Sequence, residues 1–415
     1  MAEASPKAPT DVRSNRGFVL GSLSFGHGAS HLFDQGFPLI LTEIAATMGL
    51  GSFQQAVLFG IRQGGSALVN LGGGPVVDMM KPRWGTILTF CMIGAAAGFI
   101  FMGASPNLWV LAVAVAVFSL PGALWHLPAA AAISQRFPDR RGFAISIHGF
   151  GSNVGNVIGP VLSGALLGLL LWRYVYYIYA IPCVLVAAFV WWSLKDLGKY
   201  GQSFQRITLS VQFRDALALV KEPVVVGLTV AAMLRGIGLD AIFSWTPFYL
   251  KGTEDGLGMG NVEAGFYVAL VTGMGIVSTP VLGSLSDRYG RKAVLVPGLA
   301  VAAVLSFIVV PTGDSLLLIP IFAVMGLFSF ALHQIMQAAV LDVVGQGTEA
   351  KAIGLIFGIN GLIGIGSPFV ASVIIDQLGG YGTIFYYAAG LTALAAVLVA
   401  FIPMKLRLGP VPESR

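Results

Sequence analysis

Charge is what this 415-residue sequence has least of: Asp, Glu, Lys and Arg together make up 10% of it, against about 25% in a soluble globular chain. A chain of this size with so few charges cannot present a fully hydrated surface, which excludes a soluble fold. Cysteine is nearly absent. Cys91 and Cys183 each lie inside apolar stretches, which excludes a disulfide framework and a cysteine metal site. No Walker-type phosphate loop opens a soluble helix and no metal-ligand spacing stands out, so an enzyme is the least supported class. No cofactor or metal is expected, and an ion gradient is the implied energy source. The first 16 residues, MAEASPKAPTDVRSNR, lack the apolar core and cleavage site of a signal peptide and read as a polar cytoplasmic tail.

What the sequence has in excess is apolar and small residues: 56% hydrophobic, mean hydropathy +0.82 and 54 glycines. Runs of about 20 apolar residues suffice to cross about 30 Å of hydrocarbon. Twelve such runs are predicted, over 17–47, 54–77, 85–104, 107–134, 141–169, 173–194, 223–250, 261–283, 292–311, 315–341, 351–376 and 381–403. The one long polar connection, 195–222, divides them into an N-terminal six-helix bundle (17–194) and a C-terminal one (223–403), with a second tail over 404–415. With the N-terminus inside, twenty of the twenty-four Lys and Arg residues fall on cytoplasmic segments. The positive-inside rule then predicts cytoplasmic termini in a bacterial inner membrane. The net charge of +5 is thereby topology and not a nucleic-acid footprint.

The halves are related. GGGPVVDMMKPRWG (72–85) ends the second span and VLGSLSDRYGRKAV (281–294) ends the eighth, each with a glycine four residues before an aspartate and basic residues after it. GNVIGPVLSG (155–164) and IGIGSPFVAS (363–372) stand at nearly the same offset in the fifth and eleventh spans. Parallel repeats of six helices are a transporter architecture, with the substrate between them at mid-membrane. On these motifs, GSLSDRYGRK (283–292) above all, the chain resembles the major facilitator superfamily. The resemblance implies an all-α membrane protein of twelve transmembrane helices in two pseudo-symmetric halves, most simply a monomer in the lipid bilayer. It also implies a cytoplasmic gate at Asp78, Arg83, Arg141, Asp287, Arg288 and Arg291, although the arginines can equally be plain topology anchors.

In that family the first, fourth, seventh and tenth helices line the cavity. Those helices hold His27, His31 and Asp34, then His126, then Arg235 and Asp240, then His333; only Arg62 and His148 lie elsewhere. A charged group at membrane depth costs at least about 2.5–3.5 kcal/mol, so it normally faces water or a partner. His27, His31 and Asp34 share one helical face, which suits a proton and substrate station. The structural alternative has His31 bonding a neighbouring helix and Asp34 pairing with Arg62. Arg235 can hold a carboxylate or phosphonate through its fork, or form an internal bridge to Asp34 or Asp240. His126 and His333 are cavity candidates, with ordinary packing as the alternative; for Trp125 and Phe33 packing is favoured.

The fifth span carries Gly155, Gly159, Pro160 and Gly164, which resemble the glycine–proline motif of proton-coupled antiporters. SHLFDQ (30–35) and ALWHLPAAAAISQRF (123–137) are similar to fosmidomycin-resistance-type exporters, although Ala129 stands where those have a glutamate. The expected function is a secondary active transporter moving a small, organic, anionic or carboxylate-bearing solute, coupled to protons in preference to sodium, with export by antiport favoured. Proton-coupled carboxylate uptake by symport, a facilitator, and a non-transporting receptor or assembly protein are the alternatives.

Overall fold

The computed structural model describes residues 11–199, 222–344 and 349–404, with the side chains of 71, 74, 75, 78, 344 and 349–360 outside the description. Most of the expected central loop and the C-terminal tail beyond 404 also lie outside the described residues. Among the described residues every regular element is helical. The order is α1 (Arg16–Gln35), α2 (Phe37–Met48), α3 (Ser52–Met79), α4 (Trp84–Ala104), α5 (Leu108–Arg136), α6 (Arg141–Leu167) and α7 (Trp172–Leu194). There follow α8 (Pro223–Lys251), α9 (Asn261–Gly273), α10 (Gly275–Tyr289), α11 (Arg291–Thr312), α12 (Leu318–Val344), α13 (Glu349–Leu378) and α14 (Thr383–Phe401).

Two of the expected spans are each broken into a pair of helices. α1 and α2 meet at Gly36, because Pro38 offers no backbone N–H and its ring opposes the carbonyl of Asp34. Gly36 also sits hard against α6, where a Cβ would come 1.8 Å from Ser163 Oγ. α9 and α10 meet at Met274 between two glycines. Counting each pair as one unit, the described residues form twelve helical units, of which nine are long and apolar enough by length and composition alone to cross a membrane. The three that fall short are the first, second and fifth, which hold His27, His31, Asp34, Arg62 and His148. Helix starts are capped where the sequence supplies a short polar side chain. Asn15 Oδ1 accepts from the N–H groups of Gly17 and Phe18 at 2.8 and 3.2 Å, and Asn107 Oδ1 accepts from Trp109 and Val110 at 3.1 Å each.

Packing follows two runs of helices. In the first, α1 lies on α6, α3 on α5, and α4 between α5 and α7; in the second, α11 lies between α12 and α14, and α14 on α8. The runs meet mainly where α3 packs on α13 and α6 on α9. The α6 glycines make these approaches possible. A Cβ on Gly155 would lie 2.3 Å from the Gly28 carbonyl oxygen, one on Gly159 2.5 Å from that of Leu32, and one on Gly164 2.4 Å from that of Asn261. Small residues at membrane helix interfaces serve this close backbone contact. One face of α6 thus grips α1 while its last turns grip α9.

The two ends differ. At the end that holds the start of α1, Lys292 Nζ donates to the carbonyl of Ile402 at 3.2 Å, which joins the start of α11 to the end of α14. Charged groups there pair within their own run: Arg16 with Asp139, and Arg291 with Asp287 and Asp342. At the far end the pairs cross between runs. Lys251 of α8 bonds Glu43 and, at 2.9 Å, Thr42 Oγ1 of α2. Ser52 Oγ donates to Asp376 Oδ1 at 2.6 Å, and Gln55 meets the Tyr381 hydroxyl at 3.1 Å. The rings of Phe59, Trp245, Phe248 and Tyr381 pack together beside them, with centroids 5.2 Å apart for Phe248 and Tyr381 and 5.4 Å for Phe59 and Trp245.

Gly155→Val is expected to cost about 3 kcal/mol, the upper end for overpacking, because backbone and not a flexible side chain stands in the way. A thermal melt of the purified protein checks it. Gly149→Val, whose Cβ would meet nothing within 4 Å, is expected to leave the melting temperature in place.

Candidate functional site

A cavity of about 320 Å³ lies between the runs, with His31 and Asp34 from α1, Arg62 and Gln63 from α3, His126 from α5 and Asp240 from α8 on its wall. Arg62 forks onto Asp34: Nε donates to Oδ1 at 3.1 Å and Nη2 donates to Oδ2. This two-point, charge-assisted pairing fixes direction as well as charge. The guanidinium also lies 5.6 Å from the centroid of the Phe37 ring. The next residue on α3, Gln63, donates to Asp240 Oδ1. Consecutive α3 side chains therefore hold one carboxylate from the same run and one from the other.

Behind this layer stand four of the five histidines of the sequence. His27 stacks on His148 with centroids 4.1 Å apart, and meets His31 and His126 edge-on at 4.7 and 4.8 Å. His27 Nδ1 lies 3.0 Å from the His148 carbonyl oxygen, and His31 Nδ1 lies 2.8 Å from Asn156 Oδ1. His27 Nδ1 faces a backbone carbonyl and must therefore carry the ring hydrogen and donate; with the amide oxygen of Asn156 turned towards it, His31 Nδ1 does the same. His27 is buried, and among the described residues its Nε2 has no hydrogen-bond partner. One ring nitrogen each from His27, His31 and His126 can be chosen so that all lie within 4.8 Å of one another. Sequence spacing hides this group, because α1 and α5 become neighbours only on folding.

The other sequence candidates lie apart. Arg235 is buried on α8 and donates to the carbonyl of Ser329, bridging neither Asp34 nor Asp240. It faces a separate void of about 30 Å³ with Leu299, Met325 and Thr392. His333 is hydrogen-bonded to Gln337 at 2.8 Å, one turn on along α12, and does not line the central cavity. Both contacts named in the structural alternative, His31 to another helix and Asp34 to Arg62, are made. Trp125 is fully buried behind Gly26, and Phe33 lies on the cavity wall. Of the residues expected at a cytoplasmic gate, Asp287 pairs with Arg291, whose Nε also donates to Asp342 Oδ2 at 2.9 Å, and Arg288 lies 5.3 Å from the Tyr289 ring centroid. Arg83 and Arg141 are exposed at the starts of α4 and α6, and the Asp78 side chain lies outside the described residues. The sequence reading missed Gln63 and the Lys251–Glu43 pair. Gln63 had one signal, its position next to a membrane arginine.

The family model for the Major Facilitator Superfamily matches residues 23–283 and 254–414. The chain belongs to the major facilitator superfamily. Among curated relatives, a chloramphenicol resistance protein of Streptomyces lividans is 27% identical over 376 residues, covering 88% of this chain and 89% of that one. A probable sulfoacetate transporter, SauU, of Cupriavidus necator is 23% identical, covering 88% and 87%. The solved nucleoside transporter NupG superposes with a TM-score of 0.76 at 14% identity over 92% of this chain and 98% of that one, which shows the fold. This is a multi-pass membrane transporter of small molecules and not an enzyme.

Because Arg62 and Asp34 pair directly, with side chains only 22% and 30% exposed, their mutational effects should not add. A double-mutant cycle of Arg62→Ala and Asp34→Ala is expected to show a coupling of about 1–3 kcal/mol, with the double variant more stable than the sum predicts. Melting curves of the four proteins measure it.

Proposed function

We propose that this transporter carries a small organic anion, one with a carboxylate or similar oxyanion, by alternating access coupled to protons. The observation that supports this most directly is the Arg62–Asp34 fork on the cavity wall. A guanidinium already held in the geometry of carboxylate recognition offers the same two donors to a solute carboxylate when Asp34 gives way. Protonation of Asp34 removes the competing charge, so a proton on Asp34 and an anion on Arg62 favour one another. That logic loads both together, which is symport. The relative described as a probable sulfoacetate transporter agrees with an anionic solute.

A second reading, export by exchange against protons, draws on the Gly155–Gly164 motif and on the chloramphenicol resistance relative. Close packing on α1 and α9 accounts for that motif without reference to direction. On the proposed reading the two runs are the two six-helix bundles, 17–194 and 223–403, with both termini in the cytoplasm of a bacterial cell. The cross-run contacts at Glu43, Ser52 and Gln55 then seal the outside, and the conformation described is closed outwards.

The first test is proteoliposomes loaded with a pH-sensitive dye and offered a panel of carboxylates and sulfonates. Lumen acidification on adding one solute class is expected; alkalinisation favours exchange, and solute movement with no pH change overturns proton coupling. Arg62→Gln is expected to lower solute uptake by roughly tenfold or more, the equivalent of one charge-assisted hydrogen bond. Asp34→Asn is expected to leave solute movement but abolish the accompanying proton flux. Separately, a Ser52→Cys, Asp376→Cys pair is expected to cross-link under oxidation and arrest transport until reduced.

A further inference from the structure

We propose that His27, His31 and His126 bind one divalent transition-metal ion of the borderline class, zinc or cobalt, with a coordination position left open to the cavity. This goes beyond the anion reading and does not depend on the direction of transport or on its coupling ion.

The argument starts from the ring nitrogens. A histidine that ligates a metal through one nitrogen usually donates its other N–H to a carbonyl or carboxylate, which fixes the tautomer and the ring plane. Two of the three rings are set in this way. His27 Nδ1 donates to the His148 backbone carbonyl and His31 Nδ1 donates to the Asn156 amide oxygen, each at about the length of a normal hydrogen bond. Each ring is then left with a bare lone pair on Nε2. For His27 that lone pair is buried without a partner, on a side chain only 6% exposed. An unanswered acceptor in an apolar environment is a standing cost, and a cation is one answer to it.

A ring nitrogen from each of the three histidines lies within 4.8 Å of the other two. Zinc or cobalt held by imidazoles at about 2.0–2.1 Å needs these nitrogens drawn modestly closer, by side-chain rotation. Neutral imidazoles suit zinc, cobalt, nickel and copper, whereas magnesium and calcium require oxygen ligands. His31 and His126 are on the cavity wall while His27 is behind it, so a bound ion would have protein on three sides and the cavity on the fourth. A site of three protein ligands with one open position is the arrangement that admits water or a ligand oxygen. Asp34 stands one helical turn beyond His31, its charge shared with Arg62. His148 is not one of the three ligands. Its ring stacks on His27 and its carbonyl orients it.

The test uses the full-length chain purified in detergent, free of any affinity tag, and titrated with Co²⁺ while the visible spectrum is read. Ligand-field bands that saturate at one Co²⁺ per chain are expected, together with a rise in melting temperature. His31→Ala and His126→Ala are each expected to abolish the bands, while His148→Phe, which keeps a stacked ring and the backbone carbonyl, is expected to retain them. A wild-type protein that shows no bands at millimolar Co²⁺ overturns the proposal, as does a spectrum that survives the double His31→Ala, His126→Ala change. If those variants fail to fold, zinc X-ray absorption of the wild-type protein decides: three imidazole ligands support the site and fewer overturn it.

Discussion

A permanent charge on an apolar helix has to be answered from within the protein, and Arg62 is the charge around which this fold is arranged. Its carboxylate partner comes from the last turn of α1, so α3 and the end of α1 are held in a fixed relation. α1 can reach that position because glycine-to-backbone contacts let α6 support it from behind. α6 in turn packs on α9 and α3 on α13, so α3, which carries Arg62, and α6, which backs the α1 that carries Asp34, also carry the main contact between the runs. Breaking such a pair by removing one partner leaves a charge uncompensated, which is costlier than never having had it. The pair is therefore a constraint on geometry before it is a source of stability.

Among the described residues, the far end holds ion-pair and aromatic contacts between the runs. The far-end contacts between runs include an ion pair whose Glu43 side chain is 34% exposed. Such rim pairs contribute little net energy, so the aromatic layer of Phe59, Trp245, Phe248 and Tyr381 supplies most of the cohesion there. Flat glycine faces between α6 and α9 place few interlocking side chains across that interface. A rocking motion of one run against the other would separate those rings while leaving the α1–α6 contact and the Arg62 fork whole.

Much of this was legible in the residues, and the parts that were not have physical reasons. Apolar run length exposed the passes, and Pro38 marked a break inside the first one that the span 17–47 did not anticipate. The five-residue separation of Arg235 and Asp240 places them about 140° apart around a helix, and the fold sorts them accordingly. Asp240 faces the cavity and Arg235 faces α12. Membrane depth alone could not distinguish those two, because a buried arginine satisfied by a backbone carbonyl looks the same in sequence as one that awaits a ligand. The histidine group was invisible for a different reason. His126 and His148 come from helices distant in sequence, and only the packing of α5 and α6 around α1 brings their rings onto His27.

The charge balance of the cavity constrains what can travel through it. Among the residues on its wall, one arginine stands against two carboxylates, Asp34 and Asp240. With Arg62 committed to Asp34, an incoming anion meets Asp240, whose carboxylate accepts from the amide of Gln63, and like charges in a poorly hydrated space repel strongly. On the proposed reading the balance is restored by a proton on one carboxylate, which frees the guanidinium for the solute. A divalent ion on the three imidazoles would supply compensating charge by another route. It would also offer an open coordination position to the same oxyanion. On the proposed reading the cation arrives no later than the anion, an order set by the charges on the wall.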